Sequence, residues 1–120
     1  MITTLIAQNR TGAGRVYAGS TVDLKVLFAD AEGRLEDPYT VEIVVRAPDG
    51  VETTYLFGVD QGVVRTNVGR YRARIYAAMP GRWSYGWRTS GDGTTITLEG
   101  HFNVMASELA AYGPVRADYA

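Results

Sequence analysis

Hydrophobic and polar residues alternate along most of this chain with a period of two, which is typical of strands that bury one face. From Thr21 to Ala29 the apolar residues take every second position, and Asp23 and Lys25 lie between them. A Pro48-Asp49-Gly50 turn signal separates two further segments of this kind. The pattern predicts strands at residues 21–29, 40–47, 51–57, 62–66 and 70–77.

Each predicted strand is expected to turn one set of side chains toward a common core. In most strands this set is apolar, because burying it removes hydrocarbon surface from water. The sets are Val22, Leu24, Val26 and Phe28; Val41, Ile43 and Val45; Val51, Thr53, Tyr55 and Phe57; and Tyr71, Ala73, Ile75 and Ala77.

Residues 80–104 carry the most distinctive pattern, because three large rings alternate with small or polar residues. Trp83, Tyr85 and Trp87 share one face of a predicted strand, and we expect them to lie in the core. If they faced solvent, they would instead form a sugar-stacking row of the kind found on carbohydrate-binding modules. The wetter face of the same strand carries Arg82, Ser84, Gly86 and Arg88.

A glycine and a tyrosine at the start of a strand point to one all-β architecture. Residues 67–71 read Asn-Val-Gly-Arg-Tyr, which resembles the tyrosine corner of immunoglobulin-like (Ig-like) sandwiches. In that corner the ring packs inward and its hydroxyl bonds backbone near the turn. We predict an all-β chain, an Ig-like antiparallel β-sandwich of about seven to nine strands.

The predicted sandwich has a short N-terminal arm and a C-terminal tail. Residues 1–13 are expected to form the arm or an edge strand, residues 14–106 the sandwich, and residues 107–120 the tail. Gly91-Asp92-Gly93 ends the aromatic strand, and residues 100–104 are expected to form the closing strand. The first part of the tail could form a helical turn or two.

Composition excludes several classes of function. The chain has 120 residues, no cysteine and one histidine, so we expect no disulfide, no cysteine nucleophile and no zinc site. A chain of this length buries enough surface to fold as one domain without such crosslinks. MITTLIAQNR lacks the basic start of a secretory signal, and no segment approaches the roughly 20 apolar residues of a membrane span. We therefore expect neither secretion nor a membrane partner.

Charge is distributed unevenly, although the net charge is only −1. Nine acidic residues lie between Thr21 and Asp60, whereas residues 61–91 contain six arginines and no acid. Consecutive strands are neighbours in roughly two-thirds of cases. If they are neighbours here, the arginines form one basic patch that suits a negatively charged partner surface; the alternative is that they only form solvated strand faces. The patch would comprise Arg70, Arg72 and Arg74 on one strand and Arg82 and Arg88 on the next.

No residue combination indicates catalysis. His101 lies in the closing strand, and no serine has the nucleophile-elbow context that a Ser–His pair needs. Four carboxylates, Asp30, Glu32, Glu36 and Asp37, share one loop, but their spacing matches no EF-hand. Glycosidase carboxylates flank a groove and do not share a loop. We expect a solvated acidic loop, no metal or other cofactor, and no enzymatic activity.

Several motifs recur in a fixed order along residues 15–105: a loop with Asp-Pro, a Pro-Asp-Gly turn, Gly-x-Tyr, PG-x-W-x-Y-x-W and Gly-x-Phe-x-Val. The residues are VDLKVLFAD, Gly33 with Leu35-Glu36-Asp37-Pro38, VEIVVRAPDG, Val63-Val64-Arg65, Gly69-Arg70-Tyr71, PGRWSYGW and Glu99-Gly100-His101-Phe102-Asn103-Val104. As a set they resemble a family of Ig-like structural proteins of tailed bacteriophages, which decorate the head or form the head–tail neck.

This resemblance implies a non-enzymatic structural protein of the virion, bound in many copies to the capsid or the head–tail junction. It would be assembled in the cytoplasm of the bacterial host. The implied partners are capsid, portal or neck proteins and copies of itself, with no nucleic acid. Besides the arginines, apolar residues near the two ends are expected to make contacts: Ile2, Leu5, Ile6, Leu109, Tyr112 and Tyr119. The alternative is a carbohydrate-binding or adhesive Ig-like module that uses exposed aromatic residues or loops.

Overall fold

The computed structural model describes residues 4–8, 16–91 and 94–106, and the regular elements within them are all strands. The strands are β1 (Thr4–Gln8), β2 (Val16–Tyr17), β3 (Ser20–Ala29), β4 (Thr40–Arg46), β5 (Glu52–Leu56), β6 (Val63–Asn67), β7 (Arg70–Ala77), β8 (Gly81–Gly91) and β9 (Thr94–Met105).

The strands form two sheets that enclose one core. The first sheet has four strands in the order β1-β3-β7-β6, and the second has five in the order β2-β9-β8-β4-β5. Neighbouring strands are antiparallel except β2 and β9, which run parallel with Val16 beside Val104. The predicted all-β, Ig-like sandwich is confirmed.

The core contains the side chains that the period of two places inward. Leu24 and Phe28 of the first sheet and Ile43 of the second are fully buried, and Trp87 is almost so. Burying each such side chain stabilises the fold by roughly 1.5–3 kcal/mol. The predicted inward sets of β3, β4 and β7 are confirmed.

One predicted inward set packs only in part. Of the residues expected to share this face, Tyr55 packs against the core and Phe57 contacts the core ring of Tyr71, whereas Val51 is 60% exposed. The reason is position, because β5 is an edge strand that pairs with β4 on one side only. In the described part of the chain, no further strand lies on the other side of β5 to cover the residues that stay exposed.

The closing strand is longer than the sequence pattern indicated. β9 begins at Thr94, well before the predicted start at Gly100, because it pairs with β8 from Gly91 to Gly81. At the other end of the chain, the backbone of β1 pairs with β3 as an edge strand of the four-stranded sheet.

The chain crosses from one sheet to the other between β7 and β8, at residues 78–80. The expected single basic patch is therefore wrong, since the strands that carry it are not neighbours. Arg70, Arg72 and Arg74 lie on the outer face of the four-stranded sheet, and Arg82 and Arg88 on the outer face of the five-stranded sheet. A three-residue connection can either close a hairpin or cross a sandwich, and both leave the same alternation in the sequence.

Candidate functional site

The aromatic row of β8 belongs to the core. Trp83, Tyr85 and Trp87 leave 6%, 5% and 1% of their surfaces exposed. Trp83 stacks on Phe102 with 5.9 Å between ring centroids, and its indole N–H donates a 3.0 Å hydrogen bond to the carbonyl oxygen of Met79. The prediction that these rings face inward is confirmed, and a sugar-stacking row on this strand is excluded.

Tyr71 occupies the predicted corner, but its hydroxyl has a different partner from the one expected. The residue is 3% exposed, and its ring meets those of Phe28 and Phe57 edge-on, with centroids 5.6 and 5.2 Å away. The hydroxyl donates to Oδ1 of Asp37 at 3.1 Å. The predicted bond to backbone near the turn is therefore wrong, because a carboxylate from the distant β3–β4 loop takes the backbone's place.

Asp37 accepts hydrogen bonds from three residues of the β6–β7 hairpin. Besides the Tyr71 hydroxyl, it accepts the backbone N–H of Gly69 at 2.7 Å and the Nε–H of Arg65 at 3.1 and 3.2 Å. We call these four residues the Asp37 clamp. The clamp ties the β3–β4 loop to the β6–β7 hairpin, so its role is structural.

The protonation equilibria of the clamp follow from these contacts. Desolvation alone would raise the pKa of Asp37, but the hydrogen bonds from Arg65, Gly69 and Tyr71 outweigh it and hold this pKa below its ordinary value of 3.8. Burial of the ring, and then the hydrogen bond to Asp37, raise the pKa of Tyr71 to about 12. The pair is therefore a carboxylate and a neutral phenol across the neutral pH range.

Gly69 is required at its position in the clamp. Its φ is +69°, a left-handed conformation that side chains other than glycine's disfavour. A Cβ atom here would lie 2.6 Å from the carbonyl oxygen of Phe28, which is closer than two such atoms can approach. The glycine thus lets β3 and the β6–β7 turn approach each other, and Phe28 N–H donates to its carbonyl at 2.8 Å.

Hydrogen bonds within the loop itself hold the acidic loop in place. Oδ1 of Asp30 accepts the backbone N–H groups of Glu32 and Arg34 at 3.0 and 2.9 Å, and Oδ2 lies 3.5 Å from Nε of Arg34. The backbone hydrogen bond from Arg34 is the main reason that the pKa of Asp30 is lowered. Within residues 4–8, 16–91 and 94–106, no group of three histidine or acidic side chains could hold a metal ion.

The outer face of the five-stranded sheet has a shallow groove of about 600 Å³. Gly86 forms its floor, because it has no side chain and lies between Val44 and Glu99 of the adjoining strands. Its charged and polar wall comprises Arg46, Glu52, Arg82, Arg88 and Glu99 together with the imidazole of His101. We call this the Gly86 groove.

Charges in the Gly86 groove are partly neutralised within the sheet. Arg88 Nε lies 3.2 Å from Oε1 of Glu42, and Arg46 forms an ion pair with Glu52. Arg82 makes no ion pair with the described part of the chain. The groove offers polar and charged groups of both signs, and Tyr85, which also lines it, is only 5% exposed and so presents no ring face on which a sugar could stack.

A serine and the histidine face each other in this groove. Ser84 and His101 are register partners on β8 and β9, yet no hydrogen bond joins them in the described structure. Both are on a flat sheet surface, where no helix N-terminus or turn supplies the oxyanion-binding N–H groups that acyl transfer needs. The arrangement gives no support for a hydrolytic site.

The outer face of the four-stranded sheet carries cations in direct register. Arg74 Nε lies 3.3 Å from Oδ1 of Asp23, its partner on β3. The next pair along the same strands is Lys25 with Arg72, and Arg70 follows beside Leu27. We call Lys25, Arg70 and Arg72 the basic cluster.

Several large apolar side chains are exposed at one end of the sandwich. This end collects the β3–β4 loop, the β5–β6 connection and the β6–β7 turn. Tyr39 is 78% and Val59 73% exposed. The full set, which we call the apolar end, is Leu35, Tyr39, Leu56, Phe57, Val59 and Val68.

The apolar end rests on an ordered framework. Phe57 contacts the buried ring of Tyr71, and its N–H donates to the carbonyl oxygen of Val41 at 3.0 Å. Asp60 closes the adjoining turn by accepting the Leu56 N–H at 2.8 Å. These contacts fix the backbone that presents the exposed side chains.

The predicted terminal contacts lie mostly beyond the described structure. Ile2, Leu109, Tyr112 and Tyr119 fall outside the described residues. The backbone of β1, which includes Leu5 and Ile6, pairs with β3 of the same domain. In the described part of the chain, no helix is long and apolar enough to cross a membrane.

The sequence analysis did not predict the Asp37 clamp or the Gly86 groove, although the sequence contains a feature that points to each. Asp37 stands in the Asp-Pro motif, but its partner Tyr71 is 34 residues away. Gly86 interrupts a strand pattern, and a glycine inside a strand often marks a place where another group approaches. The apolar end gave no periodic signal, because its residues lie in connections.

Comparison with solved structures identifies the class of fold. The chain is similar to the filamin domain of Lin-41, with a TM-score of 0.58 and 17% identity over 84% of this chain and 89% of that one. It is also similar to part of the chitinase ChiW of Paenibacillus sp. strain FPU-7, with a TM-score of 0.57 and 18% identity. That match covers 83% of this chain but 8% of the chitinase, which is described as a cell-surface-expressed multi-modular enzyme machinery.

The protein has an Ig-like β-sandwich fold, similar to that of a filamin domain. The structural similarity establishes this fold, and identities of 17% and 18% do not establish a shared function. No protein-family model matches the sequence, and no curated protein matches it.

Proposed function

We propose that the chain is a non-enzymatic structural module of a tailed-phage virion that docks on a protein lattice in many copies. The observation that carries the docking role is the apolar end, where six large apolar side chains are exposed on an ordered framework. Exposed apolar groups of this kind are typical of protein interaction sites. The virion setting is supported by the motif order in the sequence.

The proposed partners are capsid, portal or neck proteins and copies of this chain. A stiff sandwich holds the apolar end in a fixed shape, so docking would cost little conformational entropy. The tail at residues 107–120 would add contacts. Residues 1–13 are less suited to a free docking arm, because part of them pairs with β3.

The virion setting is tested by locating the chain. Immunogold labelling and peptide mass spectrometry of purified particles of the phage that encodes it should find the chain in many copies per particle. Its absence from purified particles would refute the setting. The neighbouring genes give a second readout, because capsid and tail genes favour this proposal and glycosidase genes favour the alternative.

The docking role is tested by variants at the two ends of the sandwich. Tyr39→Ser combined with Val59→Ser should reduce incorporation into particles at least about tenfold, since each removes a large exposed contact. The matched control is Val51→Ser with Tyr76→Ser, which are 60% and 63% exposed away from the apolar end. Equal incorporation of the two double variants would contradict docking through the apolar end.

A second candidate function is a carbohydrate-binding or adhesive module. The Gly86 groove favours it, because a cleft of about 600 Å³ lined by polar groups has the size of a small-ligand site. The likeness to part of a cell-surface chitinase is compatible with it. Binding on a glycan array that is lost in Arg82→Ala with His101→Ala would support this function, and an array without any binding would count against it.

A further inference from the structure

The basic cluster on the outer face of the four-stranded sheet places like charges opposite each other. Lys25 on β3 and Arg72 on β7 are register partners, and Arg70 is two residues from Arg72 on the same face. Directly opposed residues on antiparallel strands have Cβ atoms roughly 5 Å apart, and like charges at that spacing destabilise the sheet. The cluster is therefore unfavourable for the isolated domain.

No carboxylate relieves this repulsion in the described structure. Asp23 pairs with Arg74, and Asp37 pairs with Arg65, so these two acids are engaged elsewhere. Residues 1–15 and strands β6 and β7 contain no Asp or Glu. Lys25, Arg70 and Arg72 accordingly make no ion pair with any described residue.

The same side chains surround a shallow depression of about 230 Å³. Its lining includes the three cations together with Leu27 and Thr66. The Nε–H of Arg72 is buried and has no hydrogen-bond acceptor among the described residues. A buried donor without an acceptor costs free energy, so this guanidinium is only partly satisfied by its own domain.

We propose that the basic cluster binds carboxylate groups of an acidic segment of a partner protein. Arginine presents its N–H groups in a planar fork that matches two carboxylate oxygens, and the bonds are charge-assisted. One bridging carboxylate would offset the repulsion between Lys25 and Arg72. This site is separate from the apolar end, and the proposal stands whether or not the chain belongs to a virion.

An acidic protein segment suits the cluster better than a nucleic acid. A duplex carries a charge about every 1.7 Å and is bound by extended tracks of cations, whereas this cluster is confined to two register positions on two strands. Leu27 beside Arg70 supplies the apolar contact that protein interfaces combine with arginine.

The proposal is tested with a fluorescein-labelled hexaglutamate peptide and the whole chain at low salt. Anisotropy titration should show saturable binding, and amide NMR shifts should concentrate on β3, β6 and β7. Lys25→Gln with Arg72→Gln should weaken binding about tenfold or more, which corresponds to about 1.4 kcal/mol or more, because the variant removes two charge-assisted contacts. Arg82→Gln with Arg88→Gln changes the net charge equally on the opposite sheet and should weaken binding less than about twofold.

Three outcomes would overturn the proposal. Equal losses of affinity in the two double variants would mean that peptide binding depends only on the net charge of the chain. Shifts confined to β8 and β9 would place the site on the other sheet. Tighter binding of inorganic phosphate or of a twelve-residue oligothymidylate than of hexaglutamate would make the ligand a phosphate group. If the first double variant does not fold, Lys25→Gln alone provides the comparison, since Lys25 is exposed.

Discussion

The Asp37 clamp makes a quantitative prediction about stability. In Asp37→Ala the Gly69 N–H loses a charge-assisted acceptor, the buried Tyr71 hydroxyl loses its partner, and Arg65 loses an ion pair. The first two losses contribute about 1–2 kcal/mol each. The exposed ion pair adds at most about 0.5 kcal/mol. We expect Asp37→Ala to lower the free energy of unfolding by about 3 kcal/mol.

Urea unfolding followed by tryptophan fluorescence measures this change, because both tryptophans are buried. The matched control is Asp49→Ala, which removes a carboxylate that accepts one exposed backbone bond, from Val51 at 3.0 Å. It should lower the unfolding free energy by less than about 1 kcal/mol. Tyr71→Phe alone should cost on the order of 1 kcal/mol and should add little in the Asp37→Ala background. A loss below about 1 kcal/mol for Asp37→Ala, or full additivity with Tyr71→Phe, would refute the clamp.

The clamp also has a pH signature. The pKa of Asp37 is lower in the folded chain than its ordinary value of 3.8, so the unfolded chain binds the proton more readily. The stability that the carboxylate contributes is therefore present above about pH 4 and is lost as the pH falls through the folded pKa. The difference in unfolding free energy between the wild type and Asp37→Asn should shrink between about pH 5 and pH 3. A difference that does not change over this range would contradict the assignment.

Three further predictions concern the core and the corner. Trp83→Ala should lower the unfolding free energy by about 3–5 kcal/mol, and a loss below about 1 kcal/mol in urea titrations would argue against its core position. Gly69→Ala should cost more than Gly33→Ala by at least about 1 kcal/mol in the same titration, because both have positive φ but only Gly69 is crowded; equal costs would contradict the close approach. Burial raises the pKa of Tyr71 and of Tyr85 to about 12 from 10.0, so the unfolded chain releases these protons first and stability should fall between about pH 10 and pH 12. Tyr85→Phe should lessen that fall, and an unchanged slope would show that its hydroxyl does not titrate this way.

Local alternation was enough to predict most of the sandwich. β3, β4, β7 and β8 each have one face of apolar residues, and burial fixes which way each strand turns. The same logic placed Trp83, Tyr85 and Trp87 inward. Which face of a strand is buried depends on the residues of that strand alone, so it can be predicted from the local sequence pattern.

Relations between distant strands were not predictable in this way. The hydrogen bond from Tyr71 to Asp37 spans 34 residues, and the sequence around either residue does not identify the other as its partner. The prediction of a single basic patch was wrong because the sheet to which β8 belongs depends on the conformation of residues 78–80. The sequence around Arg82 has the same alternation whichever sheet contains the strand. The Gly86 groove likewise depends on which side chains the adjoining strands place beside a glycine.

The pairing of β2 with β9 has a mechanical consequence. β2 follows β1 near the start of the described chain, and β9 is its last strand. The two run parallel, with Val16 beside Val104, and the Ala18 N–H donates to the Met105 carbonyl oxygen at 2.8 Å. Tension applied between residues 16 and 106 would pull parallel strands in opposite directions along their length. Their hydrogen bonds would then share the load in shear and would not open one after another. Load applied at these two points would therefore be resisted along the length of both strands, whereas load applied at residue 4 would first reach β1, which pairs antiparallel with β3.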